Sequence, residues 1–142
     1  MNRIYFIREE NDLTQKEFSK LINIDRSLVS KWETEDCIPA IKKVNLISNY
    51  FDISFDYIFN ISSVKNIEFK RKDLDKKIIS QRLRHIRDIN NLSLRKLANE
   101  LNTTSSTISA YEMGKTLLLP AFALQICKKY NVSLDWLYGK ID

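Results

Sequence analysis

The sequence predicts an all-α protein built from two tandem copies of one five-helix unit, joined by a basic linker. Three observations lead there. Glycine and proline each occur only twice in 142 residues, which leaves few of the residues that β-hairpin turns require. Apolar residues recur at helical spacing between closely set turn and capping signals. Finally, the sequence aligns with itself without a gap at a shift of 79 residues. Leu13-Thr14 then falls on Leu92-Ser93, Ile22-Asn23 on Leu101-Asn102, and Val29 to Glu33 on Ile108 to Glu112. Agreement of that length marks a duplicated unit.

The units run over residues 1–61 and 80–142, and residues 62–79 form a linker that holds KRKDLDKK and begins an extended helix. The first helix covers Asn2 to Glu10; its counterpart starts early, near Asp73, and runs to Ile89. The second helix follows Thr14, where Thr-Gln-Lys-Glu forms a capping box in which the hydroxyl and Glu17 each satisfy an open backbone donor. Ser93 is the corresponding cap. The third helices start after Asp25 and Thr104, whose side-chain oxygens accept from the first backbone N–H groups. Two further helices close each unit: Ile41 to Phe51 and Phe55 to Phe59 in the first, Ala121 to Tyr130 and Leu134 to Tyr138 in the second. A unit of about 60 residues buries only about 60% of the surface its unfolded chain exposes. Packing between the units, or homodimerisation, is therefore expected to add to its stability.

With 44% hydrophobic and 29% charged residues, the chain has a globular rather than a disordered composition. Its longest apolar run, Leu117 to Leu124, is interrupted by Pro120 and falls far short of the roughly 18 to 20 residues of a membrane span. Arg8, Glu9 and Glu10 cut off Ile4 to Ile7 before it could serve as a signal-peptide core, so a soluble, cytoplasmic protein without a membrane partner is expected. Cys37, Cys127 and the single His85 form no metal-binding spacing, and no cofactor is implied. There is no Gly-rich phosphate loop, no His-Glu-x-x-His and no nucleophile paired with a base. An enzyme is not expected. Charge separates the halves: residues 1–64 carry 8 basic and 10 acidic side chains, net −2; residues 65–80 are net +3; residues 81–142 are net +4.

From Gln15 onward the pattern is more specific: apolar Phe18, small Ser19, apolar Ile22, Asn23 at a turn, then Val29 and Trp32. Leu97, Ala98, Leu101, Asn102, Ile108 and Tyr111 repeat it. The small residue admits close helix approach, asparagine tolerates left-handed backbone, and the apolar positions hold the second helix across the first. This arrangement resembles a helix-turn-helix. The wider matches, LTQKEFS with LSLRKLA, VSKWE with ISAYE, and ISFDYI with VSLDWL, resemble the lambda-repressor/Cro-like (XRE) family over nearly everything except residues 62–79.

The resemblance implies a sequence-specific transcriptional regulator, a repressor, that binds double-stranded DNA with the second helix of each pair in the major groove. Its base-facing positions fall on Arg26, Ser27, Ser30 and Lys31 in the first unit. In the second they fall on Ser105, Ser106, Ser109 and Ala110, headed by Thr104. Arg26 suits a two-pronged bond to guanine O6 and N7, whereas serine hydroxyls also suit a helix start and read bases indiscriminately. Lys31 suits a phosphate as well as a base. The resemblance also implies that Gln15 grips a phosphate, which Leu94 in the other copy cannot do. Met113-Gly114-Lys115 presents Lys115 to the backbone, while Thr34-Glu35-Asp36 would repel it. Trp32 and Tyr111 belong to the core, and Arg8 with Glu33, like Arg87 with Glu112, forms a partly buried ion pair. With approximate two-fold symmetry one chain would span two unlike half-sites roughly 10 base pairs apart. The acidic loop, Leu94 and Leu117 to Leu119 support an alternative, a protein-interaction or antitoxin-like module with reduced DNA reading in one unit. The three leucines suit burial against the other unit, against another chain, or under the helix that follows them.

Overall fold

The computed structural model describes residues 2–142, and the described residues form ten helices and no strands. They fall into two compact units, the first ending at Phe69 and the second starting at Lys70. The first unit holds α1 (Ile4–Glu10), α2 (Gln15–Leu21), α3 (Arg26–Glu33), α4 (Ile41–Phe51) and α5 (Phe55–Ile58). The second holds α6 (Lys76–Ile89), α7 (Leu94–Glu100), α8 (Ser105–Glu112), α9 (Pro120–Tyr130) and α10 (Leu134–Leu137).

The duplication extends to the backbone. Among the described residues, all ten with positive φ pair across the same 79-residue shift: Asp12 with Asn91, Asn23 with Asn102, Glu35 with Gly114, Asp52 with Asn131 and Asn60 with Gly139. Seven of the ten are Asn or Asp and two are Gly, the residues that tolerate this conformation. Glu35 is the exception. The helix starts are also duplicated. Thr14 accepts from the Glu17 N–H at 3.1 Å while its own N–H donates to Glu17 Oε1 at 2.9 Å, which completes the capping box. Ser93 accepts from Lys96 N–H at 3.0 Å, without the reciprocal acid.

Each core is made by the same positions. Ile4, Phe18, Val29, Ile47 and Phe55 are fully or almost fully buried, as are Leu83, Leu97, Ile108, Ile126 and Leu134 one shift later. At about 1.5–3 kcal/mol per buried apolar side chain, they supply most of the force that holds each five-helix unit. Trp32 and Tyr111 are 1% and 6% exposed and so lie inside. Ser19 and Ala98 are buried where α2 meets α3 and α7 meets α8, as the close approach of those helices requires.

The segment between the repeats is divided between them. Arg3 Nη1 donates to the Ser62 carbonyl at 2.7 Å, Ser54 N–H to that of Lys65 at 3.1 Å, and Asn66 Nδ2 to that of Asp52 at 2.6 Å, which fastens residues 62–66 to the first unit. Lys70 N–H donates to the Lys140 carbonyl at 2.8 Å in the second. Helix α6 starts at Lys76 rather than near Asp73, because Asp75 accepts from Lys77 N–H at 2.9 Å and so sets the cap there. The three leucines separate: Leu118 is fully buried and its carbonyl accepts from Tyr138 Oη at 2.6 Å, within the second unit, while Leu119 is 53% exposed.

Candidate nucleic-acid interface

In each unit the second and third helices pack on one another, α2 on α3 and α7 on α8, and the first helix braces the third. The brace is ionic. Arg8 meets Glu33 through Nε–Oε2 at 2.7 Å and Nη2–Oε1 at 2.9 Å, and Arg87 meets Glu112 at 2.8 and 2.9 Å in the same two-pronged way. Each arginine also donates to a carbonyl of the loop before the second helix, that of Leu13 or Leu92. The paired glutamate raises each arginine's pKa further above its ordinary value. The third helix is thus fixed at its C-terminal end, and its N-terminal turn is left at the surface.

At that turn Asp25 caps α3, accepting from Ser27 N–H at 2.8 Å and from the Ser27 hydroxyl at 2.7 Å. Those two bonds, the hydroxyl first, hold the Asp25 carboxyl below its usual range. Arg26, the first residue of α3, is exposed, as is Lys31, while Ser30 is half-buried. Gln15 begins α2 and its Nε2 donates to Glu33 Oε1 at 3.3 Å, so it leans on the ion pair that braces α3. The following loop is closed by its own acids. Thr34 Oγ1 donates to the Ser30 carbonyl at 3.0 Å and lies 3.1 Å from Asp36 Oδ2, and Glu35 Oε1 accepts from Asn2 N–H at 3.0 Å.

The second unit presents a different surface on the same frame. Thr104 caps α8 by accepting from Thr107 N–H at 3.2 Å, and its hydroxyl also lies 3.0 Å from that of Ser106 and 2.9 Å from that of Thr107. Ser105 and Ser109 are half-buried, and the Ser109 hydroxyl donates to Met113 Sδ at 3.7 Å. Gly114, at φ 70°, turns the chain so that exposed Lys115 leaves the end of α8. Leu94, at the position of Gln15, is half-buried and apolar.

A second arginine is duplicated in the same way. Arg3 lies 4.2 Å over the Tyr57 ring and donates to the carbonyls of Tyr57 and Ser62. Arg82 lies 5.1 Å over the Trp136 ring and donates to the carbonyls of Trp136 and Ile141. Recurrence of arginine at the 79-residue shift was the available signal. Their hydrogen-bond acceptors are backbone oxygens, which leave no trace in residue type.

Residues 4–58 match a protein-family model described as Helix-turn-helix, and residues 80–142 match one described as Helix-turn-helix domain. The chain is also similar to the uncharacterized HTH-type transcriptional regulator YobD of Bacillus subtilis (strain 168), with 26% identity over 72 residues, 51% of this chain and 64% of that protein. It therefore spans less than two thirds of that relative's length. With both repeats matched and the helix pair, brace and turn duplicated, the chain belongs to the helix-turn-helix family, of which it carries two tandem lambda-repressor/Cro-like (XRE) copies.

Proposed function

We propose that the protein is a sequence-specific double-stranded DNA-binding transcriptional regulator, with α3 and α8 entering the major groove and their first turns toward the bases. The observation that carries this reading is the exposed Arg26 at the first position of α3, on a helix braced from behind by Arg8, Glu33 and Gln15. A guanidinium at that position can make a two-pronged bond to O6 and N7 of guanine. Ser27, Ser30 and Lys31 flank it, and Thr104, Ser105, Ser106 and Ser109 hold the matching places in the second unit. Lys115 and the net positive charge of the second unit supply attraction to phosphate. Binding needs no cofactor, and occupancy of DNA is enough for repression by exclusion, in the cytoplasm. A binding array at moderate salt should show preferred sequences for the wild type and a relaxed preference for Arg26→Ala. Equal binding of wild type to all duplexes would refute this reading.

A second reading, that the first unit also docks a protein, has one observation in its favour. Leu21, Leu46 and Tyr50 are 41%, 46% and 62% exposed along a groove between α2 and α4. The same positions of the second unit hold Glu100, Gln125 and Lys129, where Lys129 pairs with Glu100. Substituting Leu46 and Tyr50 by Gln and Lys, as in the other copy, should leave DNA binding intact and abolish any association carried by that groove.

A further inference from the structure

We infer that the second unit reads the methyl group of thymine, and that Met113 is the residue that reads it. The inference rests on the DNA-binding role proposed above and assigns α8 a chemistry different from that of α3.

Across the reading face of α8 no side chain is long and polar. Ser105, Ser106 and Ser109 are short, and Ala110 stands where the first unit has Lys31. The Thr104 hydroxyl lies 3.0 Å from that of Ser106 and 2.9 Å from that of Thr107, and that of Ser109 is directed to the Met113 sulfur. Short hydroxyls engaged in this way discriminate poorly among bases that all present donors or acceptors.

Met113 lies one helical turn beyond Ser109, in helical backbone at φ −88° and ψ −1°. The Ser109 contact holds its sulfur on the side of α8 that carries the serines. It is 65% exposed, more than any other large hydrophobic residue among the described residues. A methionine exposed on the serine side of α8 can meet an apolar group of the DNA, and the major groove offers one, the C5-methyl of thymine. An unbranched, polarisable thioether adapts its shape to such a contact. In the first unit the same position is Thr34, whose hydroxyl is turned back to the Ser30 carbonyl and so adds no apolar reach.

The test is a random-library selection with the wild-type chain and with Met113→Gln, which keeps length but removes the apolar end. Met113 is exposed, so the variant should unfold at the same temperature as wild type. The expected result is a thymine preference at one or two positions in the wild-type site that is lost in the variant. When those thymines are replaced by deoxyuridine, which lacks only the methyl group, wild-type affinity should fall about fourfold, the value of one buried methyl-sized group. Met113→Gln should bind the two duplexes equally. Wild-type binding that keeps its sequence preference but ignores the methyl group would overturn the inference and leave the DNA-binding role standing. Absence of any sequence preference would overturn both.

Discussion

Arg26 and Arg8 show how differently one residue type is used within a single unit. Arg26 is exposed at the head of α3, whereas Arg8 is 8% exposed and bound to Glu33 and to the Leu13 carbonyl. Arg26→Ala should therefore leave the urea-unfolding midpoint almost unchanged, within roughly 0.5 kcal/mol as for other surface substitutions. It should relax preference for one base pair by about 1–3 kcal/mol, read from affinities for matched duplexes. Arg8→Ala should do the reverse. It strands the Glu33 carboxylate against the core, and breaking one side of such a pair costs about 3–5 kcal/mol, measurable by chemical denaturation. The Arg8 role was legible because both partners recur 25 residues apart in each copy. Arg3 and Arg82 were less legible, since their hydrogen bonds go to backbone carbonyls and only the aromatic rings they cover, Tyr57 and Trp136, appear as residue types.

At the scale of helices and loops, caps made the sequence readable, and the ends of α6 show the limit. Thr14, Asp25, Ser93 and Thr104 all cap the helices expected of them. Ahead of α6, Asp73 and Asp75 both suit a cap, and it is Asp75 that accepts from Lys77 N–H, a choice that residue type alone does not display. The two reading helices also differ in what their caps can titrate. The folded pKa of Asp25 lies below the usual 3.8, so its stabilisation of α3 is present above that value and is lost as pH falls through the folded one. Thr104 carries no charge to lose. Acidification through and below the usual carboxylate range should shift the amide resonance of Ser27 and loosen the start of α3 before Thr107 and α8 respond. The loops after these helices differ as sharply. Glu35 holds at φ 65° the conformation that Gly114 holds without strain, a cost of about 1–2 kcal/mol for a residue with a Cβ. If the loop faces the phosphates as proposed, replacing Glu35-Asp36 by Gly-Lys should raise DNA affinity at low salt and steepen its salt dependence, because it removes two acids and adds a cation. An unchanged salt dependence would place this loop away from DNA.

For the whole chain, the duplication and the fold were legible because burial repeats with the apolar pattern: each fully buried position in α2 and α3 has a buried counterpart in α7 and α8. The division of labour was less legible, because it depends on which hydroxyls are already engaged and which side chains stay exposed. With Arg26 and Lys31 on one reading helix and serines, Ala110 and Met113 on the other, a site bound by both units is expected to lack a palindrome. Charge makes the same asymmetry measurable. Residues 1–64 are net −2 and residues 81–142 net +4, so counterion release should come mostly from the second unit. Each phosphate contact contributes about 0.9 to the slope of log affinity against log salt. Lys115→Ala should therefore lower that slope by about one contact and weaken all sequences alike, while Arg26→Ala changes the ranking of sequences with little effect on slope. The two variants separate grip from reading: if Lys115→Ala instead reordered sequence preference at constant slope, Lys115 would face a base, and the phosphate role assigned to its loop would fail.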